Sequence, residues 1–159
     1  MTETKFFIVE AEVDKINLIT WNQEIEQERK SAVFDLLNNG KFKLYNKNET
    51  GPYKINIKLL EWKLLIRIID FFDDTITELK VSISSIRRII RDYQIVCDNY
   101  VEAIKTAPLK KIEAIDIGRR TIHDEGAGML LEAFKEKVEL DMDTARRLFT
   151  LVSIISIKI

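Results

Sequence analysis

At 159 residues, with 25 basic and 26 acidic side chains, the chain is the size of one domain that can close its own core. Its near-neutral balance, 46% hydrophobic and 32% charged content exclude a uniformly basic nucleic-acid coat, an acidic tail and a disordered chain. The single cysteine, Cys97, and single histidine, His123, exclude an internal disulfide and the usual multi-ligand zinc sites.

The first element is an alternating run from Lys5 to Val13, with Phe7, Val9, Ala11 and Val13 opposite Glu10 and Glu12, and it predicts a strand with one dry side. Those glutamates also occupy the place where a signal peptide would need an apolar segment. Thr20 and Gln23 have capping-box spacing, and Ile25, Ala32, Val33 and Leu36 follow at helical intervals up to Asn38-Asn39-Gly40. Phe42 and Leu44 mark a short strand, and the polar segment Asn46 to Gly51 reads as a loop.

Three further alternating runs predict an antiparallel meander. Tyr53, Ile55, Ile57 and Leu59 share one face of the first, Trp62, Leu64, Ile66 and Ile68 one face of the second, and Thr77, Leu79, Val81 and Ile83 one face of the third. Asp73-Asp74 suits the second turn, whereas the first, near Glu61, lacks the glycine or asparagine that favours a tight hairpin.

From Ser84, a candidate N-cap, the period changes from two to 3.6. Ile86, Ile89, Ile90, Tyr93, Cys97, Tyr100, Val101 and Ile104 form the stripe of a helix that ends before Pro108. A second helix starts near Leu109 and carries Ile112, Ile115 and Ile122, and Gly126 and Gly128 are expected to bend or break it before Leu130, Ala133 and Phe134. A last helix follows Asp143, its expected N-cap, and is apolar nearly all round. That pattern fits either the central helix of the bundle or, through residues 144–159, a homodimer seam. Its uncharged run from Leu148 to Ile157 is about half the ~20 apolar residues of a membrane span.

The expected fold class is therefore α+β: an antiparallel sheet, made of the meander plus the N-terminal strand, with a C-terminal layer of three to four helices. Residues 1–159 read as one domain, 1–83 mainly strands with one helix and 84–159 helical.

Arginine is concentrated in the helical half. Arg87, Arg88, Arg91, Arg119, Arg120, Arg146 and Arg147 follow residue 83, against only Arg29 and Arg67 before it. A guanidinium offers the planar fork that phosphate and carboxylate accept. The seven therefore form a candidate binding set for an RNA phosphate backbone or a cytosolic protein partner; the alternative is solvated helix faces and intramolecular ion pairs. Arg119 falls on the stripe of Ile112, Ile115 and Ile122, so it should be buried or half-buried with an acidic partner.

Asp116, Arg120 and His123 share a helix face at spacings of four and three, and Asp124 and Glu125 follow directly. Asp116, His123 and Glu125 are thus candidate catalytic residues. In that alternative, a hydrolase or transferase acts on a phosphorylated substrate, with His123 as acid–base, Asp116 orienting it, and Arg119 or Arg120 as anion clamp. No Walker loop, nucleophile motif or metal-ligand pair accompanies them, so no cofactor and no metal are expected. Cys97, between Tyr93 and Tyr100 on an apolar stripe, reads as a small core residue.

Gly51-Pro52-Tyr53, Arg87-Arg88-Ile89 with Asp92-Tyr93, Ile112 to Asp116 with Gly118-Arg119-Arg120, His123 to Gly126, and Asp143 to Leu151 together form a pattern, as does Glu28-Arg29 through Phe34 to Leu37. The chain resembles uncharacterised protein family two-six-two, small cytosolic proteins of alphaproteobacteria, over nearly its full length. The resemblance implies a cytoplasmic protein and brings no assigned activity and no catalytic residues. Ser85-Ile86 departs from the family's usual Pro-Phe, and the Ile-rich C-terminus departs from its usual His or Trp.

Overall fold

The computed structural model describes residues 8–13, 23–39, 43–44, 53–70, 72 and 74–156. Lys5 to Phe7, Thr20, Gly40, Phe42, the expected loop up to Gly51, Pro52, Asp73 and the last three residues lie outside the described set.

Strand β1 (Ile8–Val13) is followed by helix α1 (Gln23–Asn39) and a short strand β2 (Lys43–Leu44). The meander is β3 (Tyr53–Leu60), β4 (Lys63–Ile69) and β5 (Thr75–Ser82). A 3₁₀ turn, Ser84–Ile86, leads into α2 (Arg87–Thr106), then come α3 (Leu109–Phe134), a two-residue strand β6 (Val138–Glu139) and α4 (Met142–Ile155). The result is the α+β fold expected, with all three C-terminal helices present.

In the main sheet, ordered β1-β3-β4-β5, both meander pairings are antiparallel, with Ile57 opposite Ile66 and Ile66 opposite Leu79. Within the mostly antiparallel sheet expected, the N-terminal strand is the exception. It pairs parallel to β3, Ala11 opposite Ile55, because α1 carries the chain back before the meander starts. A second pairing, β2 with β6, ties the segment after α1 to the α3–α4 connection, where periodicity gave no strand.

Burial follows the alternation. Tyr53, Ile55, Ile57 and Leu59 in β3, Leu64, Ile66 and Ile68 in β4, and Leu79 and Val81 in β5 all face the core. The β3–β4 turn consists of Glu61 and Trp62, both left-handed, with φ of 50° and 63°. Two-residue hairpins need that backbone hand, and glycine or asparagine normally supply it. Here the Trp62 ring is buried under the guanidinium groups of Arg87 and Arg91, 4.9 and 5.6 Å from its centroid, and this packing holds the turn. The second turn is built on Asp70, whose Oδ1 accepts hydrogen bonds from the amides of Phe72 and Asp74 at 2.8 and 3.0 Å.

Helix α4 is the central helix. Thr144, Ala145 and every residue from Leu148 to Ser156 are buried by α1, α2, α3 and β3 of the same chain. Among the described residues its apolar faces are thus covered internally. Its N-cap is Asp141 rather than Asp143: an Asp141 carboxylate oxygen accepts from the Thr144 amide at 2.8 Å. Asp143 falls one residue inside the helix and pairs with Arg146. Asp141→Ala should lower stability by about 1 kcal/mol in urea denaturation, whereas Asp143→Ala should leave the cap intact.

Two other expectations change. Ser84 opens the 3₁₀ turn without capping α2, whose first turn starts at Arg87. Helix α3 runs unbroken from Leu109 through Gly126 and Gly128 to Phe134. Between Tyr100 and Ile117, only Ala103 is buried, and Ile104 is exposed where the stripe predicted core. The α2–α3 hairpin thus packs into the core at one end only.

Candidate functional site

Helices α1, α3 and α4 enclose a cleft of about 830 Å³, with Tyr93 of α2 in its wall. That size lies within the range of small-molecule pockets. Four of the seven expected arginines line it: Arg119 and Arg120 from α3, and Arg146 and Arg147 from α4. Both adjacent pairs line the same cleft, so α3 and α4 present guanidinium groups to one space.

Arg119 is half-buried with an acidic partner, as its stripe position predicted. Its Nε donates to an Asp116 carboxylate oxygen at 3.1 Å, and its guanidinium lies 4.9 Å from the Tyr100 ring centroid. This pairing holds the Asp116 carboxyl below its usual range, and Asp116 also reaches Arg120 at 3.3 Å. Arg146 is held by Asp124 and Asp143, at 2.9 and 2.7 Å. Arg147 has the longest pairing, 3.5 Å to Asp35 of α1. Arg120 and Arg147 are therefore the loosely held pair, and their side chains are 66% and 42% exposed.

His123 lies in the cleft wall between Tyr93 and Phe149, with ring centroids 5.2 and 5.3 Å away. Its Nε2 is 2.8 Å from the Thr150 hydroxyl, which also reaches the Arg146 carbonyl at 3.3 Å. Burial pushes the imidazole down to about 4; Asp124 opposes that shift, while Arg147, Arg119 and Arg146 reinforce it. At neutral pH His123 is thus an uncharged hydrogen-bonding group.

The structure brings together some expected residues and separates others. Asp116 is taken up by the two arginines, and the polar partner of His123 is Thr150, not Asp116. Glu125 is exposed and is not in the cleft lining. Arg87, Arg88 and Arg91 also lie outside the cleft, at the start of α2, where Arg87 and Arg91 cover Trp62. Cys97 is half-buried beside Tyr93, and burial raises its thiol to about 11, in keeping with a core residue.

Sequence reasoning missed Glu28, Asp35 and Thr150. Glu28, Ala32 and Asp35 recur at helical spacing along the cleft side of α1. That spacing was visible, but nothing local showed which arginines it would face.

Among the described residues, no group of three or more His, Cys, Asp or Glu side chains is arranged to hold a metal ion. No described helix is long and apolar enough to cross a membrane. No solved structure matches the chain. A protein of Cereibacter sphaeroides is 40% identical over 152 residues, spanning 93% of this chain and 96% of that protein. One of Brucella canis is 38% identical over 148 residues, spanning 93% and 92%. Both are named only as members of UPF0262, and the model of that family matches residues 5–158. The chain belongs to the Uncharacterised protein family UPF0262.

Proposed function

We propose that the protein is a binding protein that holds a small phosphate- or carboxylate-bearing ligand in the cleft between α1, α3 and α4. The observation carrying this reading is the convergence of Arg119, Arg120, Arg146 and Arg147 on one concave site. Arg119 and Arg146 are fixed by aspartates and shape the site, while Arg120 and Arg147 can exchange a long, exposed pairing for a ligand oxygen. Exposed pairs of that kind contribute about 0–1 kcal/mol, so the exchange costs little. A concave site also favours a small ligand over an RNA phosphate backbone, since Arg87, Arg88 and Arg91 do not extend it into a continuous basic track.

Acid–base catalysis by Asp116, His123 and Glu125 has less support. The imidazole is neutral well below physiological pH, its Nε2 is occupied by Thr150, and Glu125 stands outside the cleft.

Calorimetric titration with ethyl phosphate at pH 7 tests the reading. Wild type should bind, with affinity falling as salt rises. Arg120→Ala/Arg147→Ala should bind about tenfold more weakly or worse, and Arg87→Ala/Arg88→Ala should match wild type. Equal binding by the cleft variant and wild type would remove the proposal.

A further inference from the structure

The charge balance of the cleft narrows its ligand. Alongside four guanidinium groups, Glu28, Asp35 and Asp124 also line it, and Asp116 and Asp143 bind the same arginines. A highly charged polyanion would meet those carboxylates, whereas a single anionic group needs only the two loosely held guanidinium groups, Arg120 and Arg147. Asp35 and Asp124 are each paired with an arginine. Glu28 makes no ion pair among the described residues, while Arg119, which acts on it electrostatically, is bound to Asp116. Among the described residues, the cleft thus holds a carboxylate without an ion pair beside arginines that can take an anion.

We propose that the ligand is a small zwitterion, such as an amino phosphate or amino acid, with its anionic group between Arg120 and Arg147 and its ammonium group against Glu28. This inference rests on the anion-binding reading above. An ammonium group donates charge-assisted hydrogen bonds to a carboxylate, which a ligand lacking it cannot supply. Glu28 stands open to solvent at the edge of the cleft, where nearby protein atoms raise its carboxyl above the usual range against the pull of Arg119, and a bound ammonium group would favour its charged form.

The test compares 2-aminoethyl phosphate with ethyl phosphate, matched in the anionic group, by calorimetry on wild type, Glu28→Gln and Glu28→Asp, each first shown to keep the wild-type circular dichroism spectrum. Wild type should prefer the amine-bearing probe by about tenfold. Glu28→Gln should erase that preference, binding ethyl phosphate at least as tightly as wild type because one carboxylate facing the anion is gone, and Glu28→Asp should retain part of it. Equal binding of the two probes by wild type, or an undiminished preference in Glu28→Gln, would overturn the zwitterion inference and leave the anion site standing. Failure of wild type to bind either probe would overturn both.

Discussion

Gly126→Ala should destabilise the protein, although alanine is the better helix former. A Cβ at position 126 would overlap the edge of the Phe149 ring. That ring is fully buried and meets Tyr93 and His123 edge-on, with centroids 5.4 and 5.3 Å away, so it has no open direction to turn into. Overpacking of this kind costs about 1–3 kcal/mol, and replacing a mid-helix glycine returns at most ~1 kcal/mol. Gly118 and Gly128 lie on the same helix with open space around them, so Gly118→Ala and Gly128→Ala should each raise stability by up to ~1 kcal/mol. Thermal melts of the three variants read the difference as opposite shifts, about 2–4 °C per kcal/mol for a chain of this length. A stabilised Gly126→Ala would show that α3 and α4 are not packed through this contact. Because Phe149 backs His123, the same substitution should also disturb the His123–Thr150 hydrogen bond in the cleft wall.

Acidification should weaken the fold through His123. An unfolded chain binds a proton on this residue near pH 6.5 and the folded protein only near 4, so between those values the unfolded state holds more protons. The stabilising difference is complete above pH 6.5 and is lost as pH falls toward 4. Full expression of that shift would amount to about 3 kcal/mol, and screening by water in the open cleft reduces it to about 2 kcal/mol. Glu28 acts in the opposite sense: its raised carboxyl takes up a proton earlier in the fold, which favours the folded state on acidification. The lowered carboxyl of Asp116 loses its contribution only below the ordinary aspartate range. Both effects persist in His123→Gln, which keeps a polar group near Thr150 and has no imidazole to titrate. Urea denaturation of the two proteins from pH 7 to pH 4 should therefore show wild type losing about 2 kcal/mol more than the variant. Parallel curves would mean that His123 titrates in the fold as it does in the unfolded chain, within reach of neutral pH, reviving the catalytic alternative.

Features governed by neighbours in sequence were legible before the structure. The dry faces of the meander, the break at Pro108 and the pairing of Arg119 with a carboxylate all follow from spacings of two, three or four residues. Features that depend on distant partners were not. The parallel pairing of β1 with β3 requires knowing where α1 returns the chain, and β2 finds β6 almost a hundred residues later. Gly126 reads as a helix breaker until the Phe149 ring beneath it accounts for the missing side chain. Asp141 and Asp143 are both plausible caps on pattern alone, and only the hydrogen bond to the Thr144 amide separates them. The candidate site shows the same division. The arginine pairs were visible, but not that two pairs from α3 and α4 would meet while the cluster at the start of α2 packs on Trp62. Glu28, Asp35 and Thr150 join them from helices over a hundred residues apart.

The most direct measurement is a two-dimensional NMR titration of the isotopically labelled protein with ethyl phosphate, following backbone amides and arginine Nε–H groups. Saturable shifts should concentrate at Arg119, Arg120, His123, Arg147 and Thr150, with the resonances of Arg87, Arg88 and Arg91 unmoved. Shifts centred on the start of α2, or small changes spread over the surface without saturation, would contradict an anion site between α1, α3 and α4.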